Sequence, residues 1–139
     1  MKNQKIFRGF QKGDYEEVCR WWDFWWGEGM AIERDVLPHS DYCFVIEKNN
    51  TLVASVFLYV DKNAPVGYLT YMVSNPEYKE KDRRNIIEGL ILSVEKEAKK
   101  QGIKFIFTVC GNMHMENIHN KLGWTIDKTA PAYETFKYI

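Results

Sequence analysis

No apolar run in the sequence approaches the ~18 residues of a membrane span, which excludes an integral membrane helix and makes a membrane partner unexpected. Net charge is missing too, because nineteen Lys and Arg balance nineteen Asp and Glu. A dedicated duplex-DNA binder needs a basic stripe to displace counterions, so no nucleic acid is expected as a partner. Cysteine is scarce. Cys19, Cys43 and Cys110 are odd in number and far apart, which suggests neither a disulfide framework nor a Cys-x-x-Cys metal site. The opening MKNQKIFRGF lacks the apolar core of a secretory signal. The expectation is a cytoplasmic domain with reduced thiols and no metal.

What is present is enough for one domain spanning residues 1–139. Hydrophobic residues make up 45% of the chain, and a globular chain of this length buries roughly two thirds of its unfolded surface. The balanced charge is uneven locally. Lys2, Lys5, Arg8 and Lys12 give residues 1–12 a charge of +4. Residues 13–41 carry Asp14, Glu16, Glu17, Asp23, Glu28, Glu33, Asp35 and Asp41 against Arg20 and Arg34, hence −6. The acidic block coincides with Trp21, Trp22, Trp25 and Trp26.

Along the chain, KIFRGF reads as a short strand closed by the Lys12-Gly13 turn. Asp14 reads as an N-cap, with Glu17 completing a capping box. Tyr15, Val18, Cys19, Trp22 and Trp26 then recur at helical spacing, and Gly27 and Gly29 end the helix. A second helical turn is expected over Ile32–Leu37. Asp41–Lys48 and Thr51–Asp61 are rich in β-branched and aromatic residues and flank Asn49-Asn50, a hairpin turn signal. Val66–Ser74 is a third such strand, ended by Asn75-Pro76. Ile86, Ile87, Leu90, Ile91, Val94 and Ala98 switch to the helical period, with Gly102 as the stop. Lys104–Cys110 reads as a buried strand and Met113–Leu122 as a short helix. Trp124–Asp127 and Tyr133–Ile139 read as two last strands around a turn at Pro131. The sum is one α/β domain in the order β-α-α-β-β-β-α-β-α-β-β.

From about Lys5 to the C-terminus, this order resembles the GNAT superfamily of acyl-CoA-dependent N-acetyltransferases. Val73-Ser74-Asn75-Pro76-Glu77-Tyr78, a basic loop and an amphipathic helix ending at Lys100-Gln101-Gly102 are similar to the family's coenzyme-binding segment. Asn112…Ile118-His119-Asn120-Lys121-Leu122-Gly123-Trp124 is similar to its N-x6-Y-x-K-x-G-F pattern. Two departures stand out. The family's pyrophosphate loop reads R-x-x-G-x-G/A, whereas Lys79-Glu80-Lys81-Asp82-Arg83-Arg84 holds no glycine. His119 stands where the family usually has tyrosine.

The resemblance implies a central mixed sheet with helices on both faces and acetyl-CoA as co-substrate. It implies that backbone groups of Met72, Val73 and Ser74 hold the pantetheine arm and polarise the carbonyl. It assigns the pyrophosphate to Lys79, Lys81, Arg83, Arg84 and Asn85, and a further coenzyme contact to Asn112. The residue at position 119 faces the coenzyme sulfur and protonates the departing thiolate. Imidazolium is a competent donor for that step.

Bland readings stand beside these. The basic loop is either a solvated helix start or a phosphate grip, since a helix N-terminus attracts anions without glycine. His119 is either a capping residue or the acid. His114 and His119, five apart, do not share one helical face, so they make no metal pair. Cys110 reads as core or coenzyme lining. The general base stays open among Glu28, Glu33, Asp35, His39 and Asp41. Four tryptophans exceed what one helical stripe can hide, so some line a ligand cleft or a homodimer contact. Trp22, Trp25, Trp26, Tyr68 and Tyr71 are the acceptor-side candidates, and an acidic aromatic wall favours a cationic small-molecule or peptide amine. The alternative is a non-catalytic domain of the same fold that binds a protein partner through its aromatic helix.

Overall fold

Residues 4–129, 135 and 137–139 are described by the computed structural model. They divide into two compact units, Met1–Phe107 and Thr108–Ile139. In the first, strands β1 (Lys5–Gly9), β2 (Cys43–Lys48), β3 (Thr51–Val60), β4 (Val66–Ser74) and β5 (Phe105–Phe107) form one sheet in that order. The first three pairings are antiparallel and β4–β5 is parallel, so the sheet is mixed, as expected. The β2–β3 turn takes Asn49 and Asn50 to φ 50 and 68, the left-handed pair that matches strand twist. Asparagine tolerates it better than most residues.

Helix α1 (Asp14–Trp26) connects β1 to β2 by way of two 3-10 turns, Arg34–Val36 and Ser40–Tyr42. Its N-cap is Gly13, at φ 94, and no side chain caps it. Asp14 departs from its expected role because Arg8 claims it. The guanidinium Nη1 lies 2.6 Å from Asp14 Oδ2 and Nε lies 2.7 Å from Glu47 Oε2. Asp14 also accepts the Gln11 amide at 2.7 Å. Its carboxylate therefore looks back to the turn rather than forward to the helix. Compensating a half-buried cation outweighs capping one amide.

One face of the sheet buries Cys43, Phe57 and Val73 against Val18, Trp21, Trp22 and Leu37. Alternation along β3 sends Val56 and Leu58 to the opposite face. Helix α2 (Arg83–Lys100) packs on β2 and β3 with Ile86, Ile87, Leu90, Ile91, Val94 and Ala98 buried. Each of these side chains contributes on the order of 1.5–3 kcal/mol when fully removed from water, alanine less. Gly102, at φ 83, ends the helix as its sequence position foretells.

The strand expected over Lys104–Cys110 shrinks to Phe105–Phe107 because only Val66–Tyr68 pair with it. Phe105 and Phe107 are exposed rather than buried, since this strand has a neighbour on one side alone among the described residues. In the second unit α3 covers Met113–Lys121. Residues 124–127, expected as a strand, run irregularly instead. The Pro131 turn lies outside the described residues, as do residues 133, 134 and 136 of the expected Tyr133–Ile139 strand. No described helix is long and apolar enough to cross a membrane.

Candidate active site

Strand β4 changes character in its last third. Ser55 pairs with Val73 but Phe57 pairs with Thr70, so three steps on β4 oppose two on β3. The extra residue makes a bulge at Tyr71-Met72, and Tyr71 sits at φ 57. A non-glycine residue there is strained, and bulges re-aim side chains next to sites. Packing holds it. The Tyr71 ring lies 6.3 Å from Trp22, 6.4 Å from Trp26, 6.4 Å from Phe57 and 6.4 Å from Tyr59, all edge-on. Trp22 and Trp26 stack at 5.8 Å. Trp22 is wholly buried and Trp26 is 40% exposed, so Trp22 backs a surface that Trp26 and Tyr71 present.

Two other acceptor-side candidates sit apart from this nest. The Trp25 indole donates to the Ser74 carbonyl at 2.8 Å and its ring meets Phe24 edge-on at 4.9 Å. Trp25 thus ties the end of α1 to the end of β4. Tyr68 stacks on Phe107 at 4.9 Å. Met72 and Ser74 are half-buried and Val73 is buried. The Ser74 carbonyl keeps a second lone pair beside the Trp25 bond.

Past Ser74 the chain is held by polar groups. Buried Asn75 donates to the Leu52 carbonyl at 2.9 Å and accepts the Glu77 amide at 2.9 Å. Lys79, Lys81, Arg84 and Asn85 are exposed and Arg83 is half-buried. Asp82 occupies the N-cap position of α2 without capping it. Its Oδ2 pairs with Lys48 and its Oδ1 accepts the Tyr78 hydroxyl at 2.7 Å. The Lys48 ammonium first, then Tyr78, hold the Asp82 carboxyl below the usual carboxylate range. Burial, then Asp82, pushes Tyr78 up to about 12. The Arg84 and Asn85 amides have no intrahelical partner, whereas the Arg83 amide donates to the Glu80 carbonyl at 3.3 Å and Arg84 Nε lies 3.4 Å from Glu88 Oε2. Lys79, Lys81 and Arg83 are the other cations of this stretch. This arrangement fits a pyrophosphate by charge and by free donors, without glycine.

Asn112, in the second unit, caps α3, its side chain accepting the Met115 amide at 2.9 Å. His119 is 4% exposed. Its Nδ1 lies 2.8 Å from the Met115 carbonyl. A carbonyl only accepts, so Nδ1 carries the hydrogen. The Trp124 ring stands edge-on at 4.7 Å and fixes the imidazole plane. Nε2 is buried without a hydrogen-bond partner among the described residues. Any proton exchanged by this ring is therefore exchanged at Nε2. Cys110 Sγ lies 3.7 Å from Nδ1, but burial, then Glu116, raises the thiol. It is a poor nucleophile.

The model of the Acetyltransferase (GNAT) family matches residues 6–124. The chain belongs to the GNAT acetyltransferase family. Solved structures agree on the fold. N-acetylglutamate synthase from Neisseria gonorrhoeae, complexed with coenzyme A and N-acetyl-glutamate, superposes with TM-score 0.68 at 16% identity over 86% of this chain. This chain spans only 28% of that protein. The aminoglycoside N-acetyltransferase AAC(6')-Iy, in complex with a bisubstrate analogue, gives 0.67 at 14% identity over 96% of this chain and 99% of that one. An aminoglycoside acetyltransferase from an uncultured soil metagenomic sample gives 0.65 at 12% identity, covering 96% and 97%. No curated protein matches the sequence.

Within this GNAT chain, the structure unites three of the five acceptor-side candidates, Trp22, Trp26 and Tyr71, beside the bulge. Glu28, Glu33, Asp35, His39 and Asp41, the candidate bases, are all exposed. Sequence reasoning missed Tyr59, whose register partner is Tyr68 and whose hydroxyl donates to the Val36 carbonyl at 2.8 Å. It also missed Lys48 and Tyr78. Tyr78 precedes Asp82 by four residues, a readable spacing. Lys48 is 34 residues away and gives no local signal.

Proposed function

We propose that this GNAT protein transfers an acetyl group from acetyl-CoA to an amine that is cationic in solution and attacks directly, as the free base, in a ternary complex. The observation that carries the reading is the bulged, ring-packed end of β4 running straight into a glycine-free but cation-rich start of α2. Acetyl-CoA supplies an activated acetyl group as its thioester. Backbone groups of Met72, Val73 and Ser74 hold the pantetheine arm and polarise the carbonyl. Lys79, Lys81, Arg83, Arg84 and Asn85 hold the pyrophosphate, and Asn112 adds a coenzyme contact. His119 Nε2 delivers a proton to the leaving thiolate. The ammonium first loses a proton to solvent and attacks as the free amine. Its nitrogen loses a second as the amide forms, equal in number to the one that the His119 imidazolium gives the thiolate, so one proton is released overall.

Trp26 and Tyr71, backed by Trp22, form the acceptor wall, with Trp25 and Tyr68 at its margins. Of the eight acids in residues 13–41, Asp14 is spent on Arg8 and Glu17 on Arg20. Six remain exposed: Glu16, Asp23, Glu28, Glu33, Asp35 and Asp41. Ring faces and exposed carboxylates favour a cation. The solved relatives that take aminoglycosides are consistent with such a wall. An acidic site also stabilises the ammonium form, which cannot attack. Rate therefore rises with pH until the bound amine's pKa is passed.

The test is thiol release from acetyl-CoA with a panel of amines and their carboxylated analogues, at low and high salt. Faster release with the cations, weakened by salt, is expected. A preference for anionic acceptors, or rates indifferent to charge and salt, overturns the acceptor assignment.

A further inference from the structure

Asp82 is the one carboxylate placed at the N-cap of α2, where an anion would have to approach. An aspartate at an N-cap ordinarily turns its oxygens onto the amides of the first turn. This one makes no such bond. Both oxygens are engaged elsewhere, Oδ2 by Lys48 Nζ and Oδ1 by the Tyr78 hydroxyl. Lys48 is the last residue of β2, so its ammonium reaches Asp82 from the sheet rather than from the loop. Its side chain is only 16% exposed. Tyr78 is 8% exposed. The carboxylate is thus held by two groups that are themselves fixed by packing.

We propose that Lys48 is a positioning residue for the coenzyme pyrophosphate, acting through Asp82 and not by touching phosphate. The proposal rests on the reading that the start of α2 binds the pyrophosphate. Two consequences of the Lys48–Asp82 pair support it. The pair cancels a negative charge at the end of the helix that must receive an anion. It also pins the carboxylate in a rotamer that leaves the Arg84 and Asn85 amides to the ligand, the Arg83 amide being taken by the Glu80 carbonyl. A loop with glycines holds no side chain that competes for those amides. A loop with an aspartate needs that side chain restrained, and Lys48 with Tyr78 restrains it.

The experiment is titration calorimetry of the full chain with CoA and with S-acetylpantetheine, which lacks the pyrophosphate. The variants are Lys48→Met, Asp82→Asn and the two combined, each checked for a cooperative melt. Lys48→Met should weaken CoA at least fivefold and leave S-acetylpantetheine unchanged, since it frees Asp82 to cap α2 and repel phosphate. Adding Asp82→Asn should recover the part of CoA binding that was lost to charge, since an unrestrained asparagine still caps the amides. Asp82→Asn alone should bind CoA as well as the unaltered chain or better, and this arm stands even where Lys48→Met fails to fold. The proposal is overturned by a smaller loss, by equal losses for both ligands, by no rescue in the combined variant, or by weaker CoA binding in Asp82→Asn. A parent chain that binds CoA no better than S-acetylpantetheine overturns the pyrophosphate reading itself, which is a distinct result.

Discussion

On the two sides of Ser74 the same chain is held by different physics. Upstream, the bulge at Tyr71 is fixed by rings: Trp22, Trp26, Phe57 and Tyr59 surround it. Downstream, Asn75, Tyr78, Asp82 and Lys48 are joined by hydrogen bonds and an ion pair. Dispersion and apolar burial are not weakened by charge screening or by titration, whereas charge pairs respond to both. The bulged end of β4, the acceptor side under the proposed function, is therefore a rigid floor. The start of α2, the coenzyme-phosphate side under that proposal, is an electrostatic clasp. Conditions and substitutions should act on the two separately.

The sharpest break in that comparison comes from removing the floor. Trp22→Ala leaves a cavity under both Tyr71 and Trp26, and should destabilise the fold by about 3–5 kcal/mol. Denaturant melts at low and high salt should show the same loss, since rings carry it. A loss that salt abolishes would mean that charge, not packing, holds the bulge.

A control lies outside both regions. His119→Ala should lower turnover by about a hundredfold or more, roughly 2.7 kcal/mol of barrier, with acetyl-CoA affinity nearly intact. His119→Tyr should recover part of the rate, because tyrosine is what the family places there. Steady-state kinetics beside a binding titration separates the two quantities. Unaltered turnover in His119→Ala removes the imidazole from the reaction.

Effects on the clasp should be smaller and selective. Arg83→Ala or Arg84→Ala should cost roughly 1.5–3 kcal/mol of CoA affinity, the value of a charge-assisted contact, and little for S-acetylpantetheine. Equal losses for both ligands would show that these guanidiniums miss the phosphates.

The smallest effect is that of acid. Asp82 has a folded-state pKa below its unfolded value of 3.8, so its stabilisation is complete above that value. It is lost as pH falls through the folded pKa. Melting between pH 5 and pH 2 should therefore fall less steeply for Asp82→Asn than for the parent chain, while Trp22→Ala keeps the parent's slope. Identical slopes for the Asp82→Asn and parent chains would show that the pair contributes nothing to folding.

How much of this was legible follows the same division. Asn49-Asn50, the limits of Val66–Ser74 and the helix that Gly102 ends are written in local signals, and the structure has them. All five aromatics at the bulge, Trp22, Trp26, Phe57, Tyr59 and Tyr71, sit on elements whose period was readable, yet the bulge itself left no trace. Tyr71 adopts a left-handed backbone that sequence rules reserve for glycine or asparagine. Only the surrounding rings make it stable there. Asp14 was misread for a related reason: Arg8 and Glu47 decide its direction, and Glu47 lies 33 positions along the chain. Lys48 and Asp82 illustrate the limit most plainly. Neither residue's neighbours announce the pair, because the hairpin and the β4–α2 loop bring them together only after the sheet forms.

Coenzyme recognition at the start of α2 is the claim on which the rest depends, and one measurement addresses it directly. Thermal melting of the full chain with acetyl-CoA, CoA and S-acetylpantetheine reads binding without knowledge of the acceptor. A ligand at 100 times its dissociation constant stabilises by about 2.7 kcal/mol. Clear upward shifts are predicted for acetyl-CoA and CoA, and a much smaller one for S-acetylpantetheine at equal concentration. Absence of any shift at millimolar acetyl-CoA would contradict the account and point instead to a GNAT-fold domain that binds a protein partner through its aromatic helix.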